Sequence, residues 1–228
     1  MNTNVNLLAP IGAMAFLGTG FLFLIATLAL IHSLVVRRRT RAKFVLLAML
    51  VIAGTYLAAI VIFSVASHEK ILARGEEKHF CEIDCHLAYS VVDTRQSRTL
   101  GDPPNQTTAR GTYLVVTIKT RFDQTTISPQ RGDALLYPNS RVLTIVDQRG
   151  NTYAVTGDAQ RTMRNAQSSG KPLTTPLRPG ESYTTEAIFD LPADAKPSTL
   201  LINEGEWVTH LVIGHENSLL HRKTRFQL

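Results

Sequence analysis

Two uninterrupted apolar runs open the chain, and short alternating patterns fill the rest. From Leu7 to Val36 the stretch LLAPIGAMAFLGTGFLFLIATLALIHSLVV carries no acidic or basic residue apart from His32. From Phe44 to Ala66 the stretch FVLLAMLVIAGTYLAAIVIFSVA carries none. About 20 apolar residues cross the hydrocarbon core of a bilayer, so each run predicts a transmembrane helix. A cleaved secretory signal is the rival for the first run. Its leader MNTNVN lacks a positive n-region, however, and the run far exceeds the roughly 7 to 15 residues of a signal's apolar stretch.

Beyond Ala66 the period changes to two. The charged stretch SHEKILARGEEK reads as the end of the second helix running into a juxtamembrane stalk, residues 67–80. In GTYLVVTIKTRF, Leu114, Val116 and Ile118 alternate with Val115, Thr117 and Lys119, the pattern of a strand buried on at least one face. SRVLTIVDQRGNTYAVT predicts strands over Arg141 to Val146 and Thr152 to Thr156, joined by a turn at Gly150 and Asn151. In ESYTTEAIFDLP, Tyr183, Thr185, Ala187 and Phe189 share one face. With HLAYSVVDTR as the first strand, and STLLIN, WVTHLVIG and LLHRKTRF as the last, the pattern predicts about seven or eight strands and no helix among them. SRTLGDPPNQTTAR and GDAQRTMRNAQSSGKPLTTPLRPG are expected as long loops.

The predicted fold is therefore a two-helix transmembrane hairpin followed by an all-β antiparallel sandwich. Residues 1–66 form the hairpin with a basic cytoplasmic loop at 37–43, residues 67–80 the stalk, and residues 81–228 the β-sandwich domain. Small residues on the helices, Gly12, Gly18 and Gly20 in the first and Gly54, Ala58 and Ala59 in the second, predict faces that pack closely. That packing is expected within the hairpin, with docking into a larger membrane complex as the alternative.

Charge sets the topology. The loop RRRTRAK supplies Arg37, Arg38, Arg39, Arg41 and Lys43, and short loops rich in Lys and Arg stay cytoplasmic. Met1 and everything after Ala66 are thereby expected on the extracytoplasmic side of the cytoplasmic membrane. Of the net charge of +6, the loop holds five, leaving the β-domain nearly neutral. The sequence pI near 9.5 is thus a topology signal, and nothing in it marks a nucleic-acid footprint, which would need basic residues clustered on one folded face.

The run LRPGESYTTEAIFDLPADAKPSTLLI resembles bacterial extracytoplasmic immunoglobulin-like domains of unknown function, in which a Pro-Gly-Glu turn leads into a strand ending in Phe-Asp-Leu-Pro or a variant. GTYLVVTIKTRFD is similar to the strand that begins the central sheet of that family. The likeness spans about residues 85 to 213 and implies an immunoglobulin-like sandwich without an agreed activity. The chain departs from the usual member in carrying a two-helix anchor in place of a lipid-modified cysteine.

The sharpest chemistry lies in HFCEIDCHLAYS, which holds both cysteines of the chain. Cys81 and Cys85 followed by His86 spell CxxxCH, one residue longer than the CxxCH of haem attachment. The longer spacing resembles some c-type cytochromes, but there the motif opens a helix, whereas Ile83, Leu87, Tyr89 and Val91 alternate toward a strand. The gross plan is similar to subunit II of cytochrome oxidases, whose dinuclear copper site has Cys and Glu at this spacing. Where that family has a histidine and a methionine, this chain has Tyr89 and Val92, so the copper ligands fail to match. His79, Cys81, Cys85 and His86 have the donor types for tetrahedral zinc. The remaining reading is a disulfide, since paired cysteines in an oxidising compartment usually bridge. Along a straight strand their Cα atoms would stand roughly 13 Å apart, beyond the roughly 4.4–6.8 Å of a bridge, so a disulfide predicts a turn over Glu82 to Asp84.

His210, His215 and His221 near the C-terminus read as surface or hydrogen-bonded histidines, and Trp207, the single tryptophan, as packing on the sandwich or its membrane-facing rim. No Gly-x-Ser-x-Gly elbow, phosphate loop or HExxH helix is present. The expectation is a non-enzymatic binding or scaffold protein without a cofactor, its partners the lipid bilayer and other membrane-protein subunits, as in an accessory subunit of a respiratory or photosynthetic complex. The alternative is an electron-transfer subunit with haem c, copper or zinc at Cys81, Cys85 and His86.

Overall fold

The computed structural model describes residues 8–80, 86–125, 132–165 and 170–228. The two apolar runs form α1 (Leu8–Val35) and α2 (Arg39–Val65). A three-residue turn joins them. Arg38 N–H donates to the Ser33 carbonyl and Arg37 N–H to the Leu34 carbonyl, with Arg37 at φ 54°, the hydrogen-bond pattern of a Schellman helix end. Most of the basic loop expected at 37–43 is accordingly the first turn of α2.

The helices meet along a narrow seam. On α1 the half-buried or buried positions are Gly12, Phe16, Thr19, Phe23, Ala26, Leu30 and Ser33, spaced alternately by three and four. On α2 Ala42, Val45, Met49, Ile52, Tyr56, Ile60 and Ser64 answer them. This is the seam spacing of paired antiparallel helices. The small-residue expectation is corrected here: a Cβ at Gly18, Gly20 or Gly54 would meet nothing within 4 Å, and Ala58 is exposed. These residues lie off the seam. Among the described helix glycines Gly12 is closely approached, by the backbone of Ile213, and Ala59 is half-buried.

The β-domain stacks two sheets. One has the order β1 (Lys70–Leu72), β9 (Thr224–Gln227), β8 (Pro197–Glu204), β5 (Arg141–Asp147), β6 (Thr152–Ala154), and the other β2 (Lys78–Phe80), β3 (Leu87–Leu100), β4 (Thr107–Phe122), β7 (Ser182–Leu191). All pairings are antiparallel except β1 with β9. Period two puts Leu114, Val116, Ile118 and Phe122 of β4 inward, against Ile145, Leu200, Ile202 and Phe226 of the opposite sheet, in one shared core. The other face of β4 is also covered. Tyr113 and Val115 pack with Ile188 under Ala159 and Met163 of a short helix, α3 (Gly157–Asn165).

Several segments differ from their sequence pattern, LLHRKTRF among them, of which only Thr224 to Phe226 is strand. Residues 67–80, expected as a stalk, contain β1 and β2, whose Leu72 and Phe80 belong to the core. The expected loop 97–110 is mostly strand, because β3 and β4 continue as a long hairpin. The expected loop after Thr156 carries α3, which needs only Ala159 and Met163, four residues apart, to cover the sheet. WVTHLVIG, expected as a strand, is a 3-10 helix (Trp207–Leu211) and a run of turns. By compactness the chain divides into a β unit, with Glu69–Gly205 and Thr224–Leu228, and a helical unit, with Leu7–His68 and Glu206–Lys223.

Candidate functional site

The polar chemistry of the β unit gathers around β2. Three residues of strand alternate in burial, so Lys78 and Phe80 enter the sandwich while His79 faces the opposite side. Phe80 pairs with Leu87 in the antiparallel register of β2 and β3. Cys81 and Cys85 lie outside the described residues, and so do the bridge and the ligand roles expected of them. Among the described residues no group of three His, Cys, Asp or Glu is arranged to hold a metal.

On the inner side, Lys78 is buried and its Nζ donates to the Ile202 carbonyl at 2.7 Å. A buried ammonium requires such compensation. The Lys78 Nζ also sits 4.8 Å from the Phe80 ring centroid, and the Arg141 guanidinium carbon 4.2 Å from that ring and 5.5 Å from the Tyr89 ring. Phe80 and Tyr89 meet edge to face at 5.3 Å. Arg141 opens β5 directly opposite Glu204 of β8, and their charged groups approach to 3.5 Å. Two cations thus sit against two aromatic faces, an arrangement that gains from ring quadrupoles where water is excluded.

On the outer side, strand register aligns His79, Ala88 and Arg121 across β2, β3 and β4. Asp123, just past β4, donates its N–H to the His86 carbonyl. Its Oδ2 lies 3.2 Å from His86 Nδ1 and 3.5 Å from His79 Nε2, placing one carboxylate between two imidazoles. Arg121 holds Glu77 through two bonds of 2.7 and 2.6 Å and also pairs with Asp123. The Arg121 hydrogen bond keeps the Glu77 carboxyl below the usual carboxylate range, and Glu77 in turn pushes the guanidinium up. The His79 side chain is only 8% exposed, and its Nδ1 has no hydrogen-bond partner among the described residues.

Of the expected ligands the structure therefore places His79 and His86 together, each turned to Asp123. Sequence reading missed Glu77, Lys78, Arg121, Asp123, Arg141 and Glu204. Only strand register brings them to one end of the domain. The late histidines fall elsewhere: His210 and His215 belong to the helical unit's turns, where His215 Nδ1 accepts from Asn217 N–H.

Cavities also open among the described residues of the β unit. One of about 200 Å³ opens between Leu143, Val155, Leu173 and Ala187, and one of about 760 Å³ is bordered by Arg110, Tyr113, Tyr153, Asp158 and Asp190. The second is walled by groups already engaged. Asp190 accepts from Arg110 N–H and Gly111 N–H, and Tyr153 donates to Asp147.

The class these features define is a β-sandwich joined to a hairpin of two candidate membrane spans. No family model matches the chain, and no curated protein matches it. Two solved structures align with the chain. The secreted protein MPT63 from Mycobacterium tuberculosis aligns at 12% identity over 72% of this chain and 100% of its own, with a TM-score of 0.44. A conserved hypothetical protein from Bacillus anthracis aligns at 13% identity over 59% of this chain and 92% of its own, with a TM-score of 0.41.

Proposed function

We propose that the chain is a non-catalytic, membrane-anchored protein whose β-sandwich binds or scaffolds other proteins outside the cytoplasmic membrane, as an accessory subunit of a larger membrane assembly. The observation that carries this reading is the surface of the hairpin. Outside the narrow seam, Ile11, Met14, Leu17, Phe21, Leu24, Leu28 and Ile31 of α1 and Leu47, Leu50, Leu57 and Ile62 of α2 are exposed. A water-soluble protein would bury such residues, whereas hydrocarbon accepts them without cost. The basic turn argues for its own side being cytoplasmic, which assigns the sandwich to the outside. The immunoglobulin-like character belongs to the same proposal and is supported by two mostly antiparallel sheets closing one core.

Alkaline carbonate treatment of membranes, followed by protease protection and native gels after crosslinking, tests the reading. Retention in the pellet, digestion of the sandwich from the outside and a species larger than the monomer are expected. A monomer under every crosslinking condition would remove the accessory role.

A second reading, electron transfer through a group held at Cys81, Cys85 and His86, has in its favour the convergence of His79 and His86 beside that stretch. It requires visible absorbance from the natively purified protein. A colourless protein two hydrogens lighter than its reduced mass would leave the disulfide instead.

A further inference from the structure

Between β8 and β9 the chain makes an excursion, residues 206–223, that belongs to the helical unit. Three contacts seat it on the hairpin. Tyr56 Oη donates to the Leu211 carbonyl at 2.7 Å, Arg222 N–H donates to Ser67 Oγ at 2.8 Å, and a Cβ at Gly12 would overlap the Ile213 carbonyl. Glycine is what lets this backbone approach α1. Both contact points on the helices lie toward the end remote from the basic turn. Gly12 is four residues inside α1, and Tyr56 nine residues, ~14 Å at 1.5 Å per residue, inside the end of α2.

The excursion has an uncommon surface. Trp207 is 69% exposed, Leu219 63%, Leu220 65% and Leu211 37%. Leu220 adopts φ 66°, a conformation that costs a residue with a branched side chain. Meanwhile several of its backbone groups bond within the segment. Val212 N–H donates to Thr209 O, His215 N–H to Val212 O, Ser218 N–H to His215 O and His221 N–H to Ser218 O. Asn217 and Ser218, both buried, are bonded to Thr209 Oγ1 and the Val212 carbonyl. Irregular backbone is tolerated near hydrocarbon only when its polar groups are satisfied within the protein, and tryptophan concentrates where acyl chains meet headgroups.

We infer that residues 206–223 form a third membrane-contacting element, lying in the outer interface of the bilayer with Trp207, Leu211, Leu219 and Leu220 among the lipids. The inference rests on the membrane-anchor reading above. The occupant is lipid because the segment is seated on the helices whose outward faces are apolar, so the lipid that surrounds those faces continues onto it. A 27-residue helix spans ~40 Å against a hydrocarbon core of ~30 Å. Its first five residues, Arg39 to Lys43, belong to the basic turn, so its apolar part, ~33 Å, about matches that core, and the segment meets the hairpin from Tyr56, past the middle of that part, to Ser67 beyond its outer end.

Because Trp207 is the single tryptophan, the unmodified full-length chain is its own probe. The protein is placed in nanodiscs of ordinary or bromine-labelled phosphatidylcholine, and its emission is measured with and without iodide in the water. Expected is a blue-shifted emission that loses most of its intensity in brominated lipid and little to iodide. A Trp207→Phe, Leu219→Trp double variant should behave alike. Quenching by iodide and not by brominated lipid overturns the inference. Resistance to both overturns it as well and assigns Trp207 to a protein contact. Release of the chain by alkaline carbonate, scored separately, defeats the anchor reading itself, and the inference falls with it.

Discussion

At the scale of single residues, the motif that was easiest to read is only part of its neighbourhood. CxxxCH and its flanking His79 are spelled in the sequence, yet the groups that meet the two histidines and Glu77, namely Asp123 and Arg121, come from beyond the far end of β3. The Glu77–Arg121 pair is about a third exposed and stabilises by roughly 1 kcal/mol or less. Its sign is nonetheless testable. The folded pKa of Glu77 lies below its unfolded value of about 4.3. The contribution is thus complete above that value and disappears as pH falls through the depressed folded pKa. The melting temperature of Glu77→Gln should fall less steeply than that of the parent between about pH 6 and about pH 3. Asp147 works similarly in the β5–β6 turn. The Asn151 side chain foremost, with the Asn151, Tyr153 and Arg149 donors, holds its carboxyl below the ordinary range. Asp147→Ala leaves those donors without their acceptor and should lower the melting temperature while the protein stays in the carbonate pellet. If Cys81 and Cys85 are bridged, Cys85→Ser should also lower the melting temperature without affecting insertion.

At the scale of elements, periodicity served where an element is long. The Leu114, Val116, Ile118 face of β4 and the Tyr183, Ala187, Phe189 face of β7 lie in the core as their alternation requires. It failed where a short element takes its conformation from what it touches. WVTHLVIG carries β-branched and apolar residues at strand-like spacing, but one of its carbonyls is taken by Tyr56 of α2. α3 has two apolar residues on the sheet, too few to register as a helical period. The four-residue strand β9 shows how much a short element can hold. Phe226 is fully buried, and β9 bonds to both β1 and β8. Phe226→Ala should cost about 3–5 kcal/mol, read as a lower denaturant midpoint of the sandwich.

At the scale of the whole molecule, charge and hydropathy divide the labour. The five basic residues at 37–43 outweigh the remaining net charge of the chain, and on the reading proposed above they orient the hairpin. Replacing Arg37, Arg38, Arg39, Arg41 and Lys43 with Gln should leave the spans inserted but mix their orientation, seen as partial protection of the sandwich from external protease. Among the described residues the sheet edges are short or covered. β1, β2 and β6 are three residues each, and β7 is flanked by Lys171, whose N–H donates to the Thr184 carbonyl.

The sequence by itself determined the two apolar helices, the basic turn between them and the alternating strands, because each depends on residues near one another in the chain. A helix or strand that hides one face writes that face into its own period. Tertiary structure alone decided that residues 67–80 join the sandwich, that Asp123 stands between His79 and His86, that Gly18, Gly20 and Gly54 lie off the helix seam, and that residues 206–223 belong with the hairpin. Those outcomes rest on pairings such as Leu72 with Phe226 and Tyr56 with Leu211. Partners more than 150 positions apart leave no local pattern, since what selects them is the shape and hydrogen bonding of surfaces that exist only once the chain has folded.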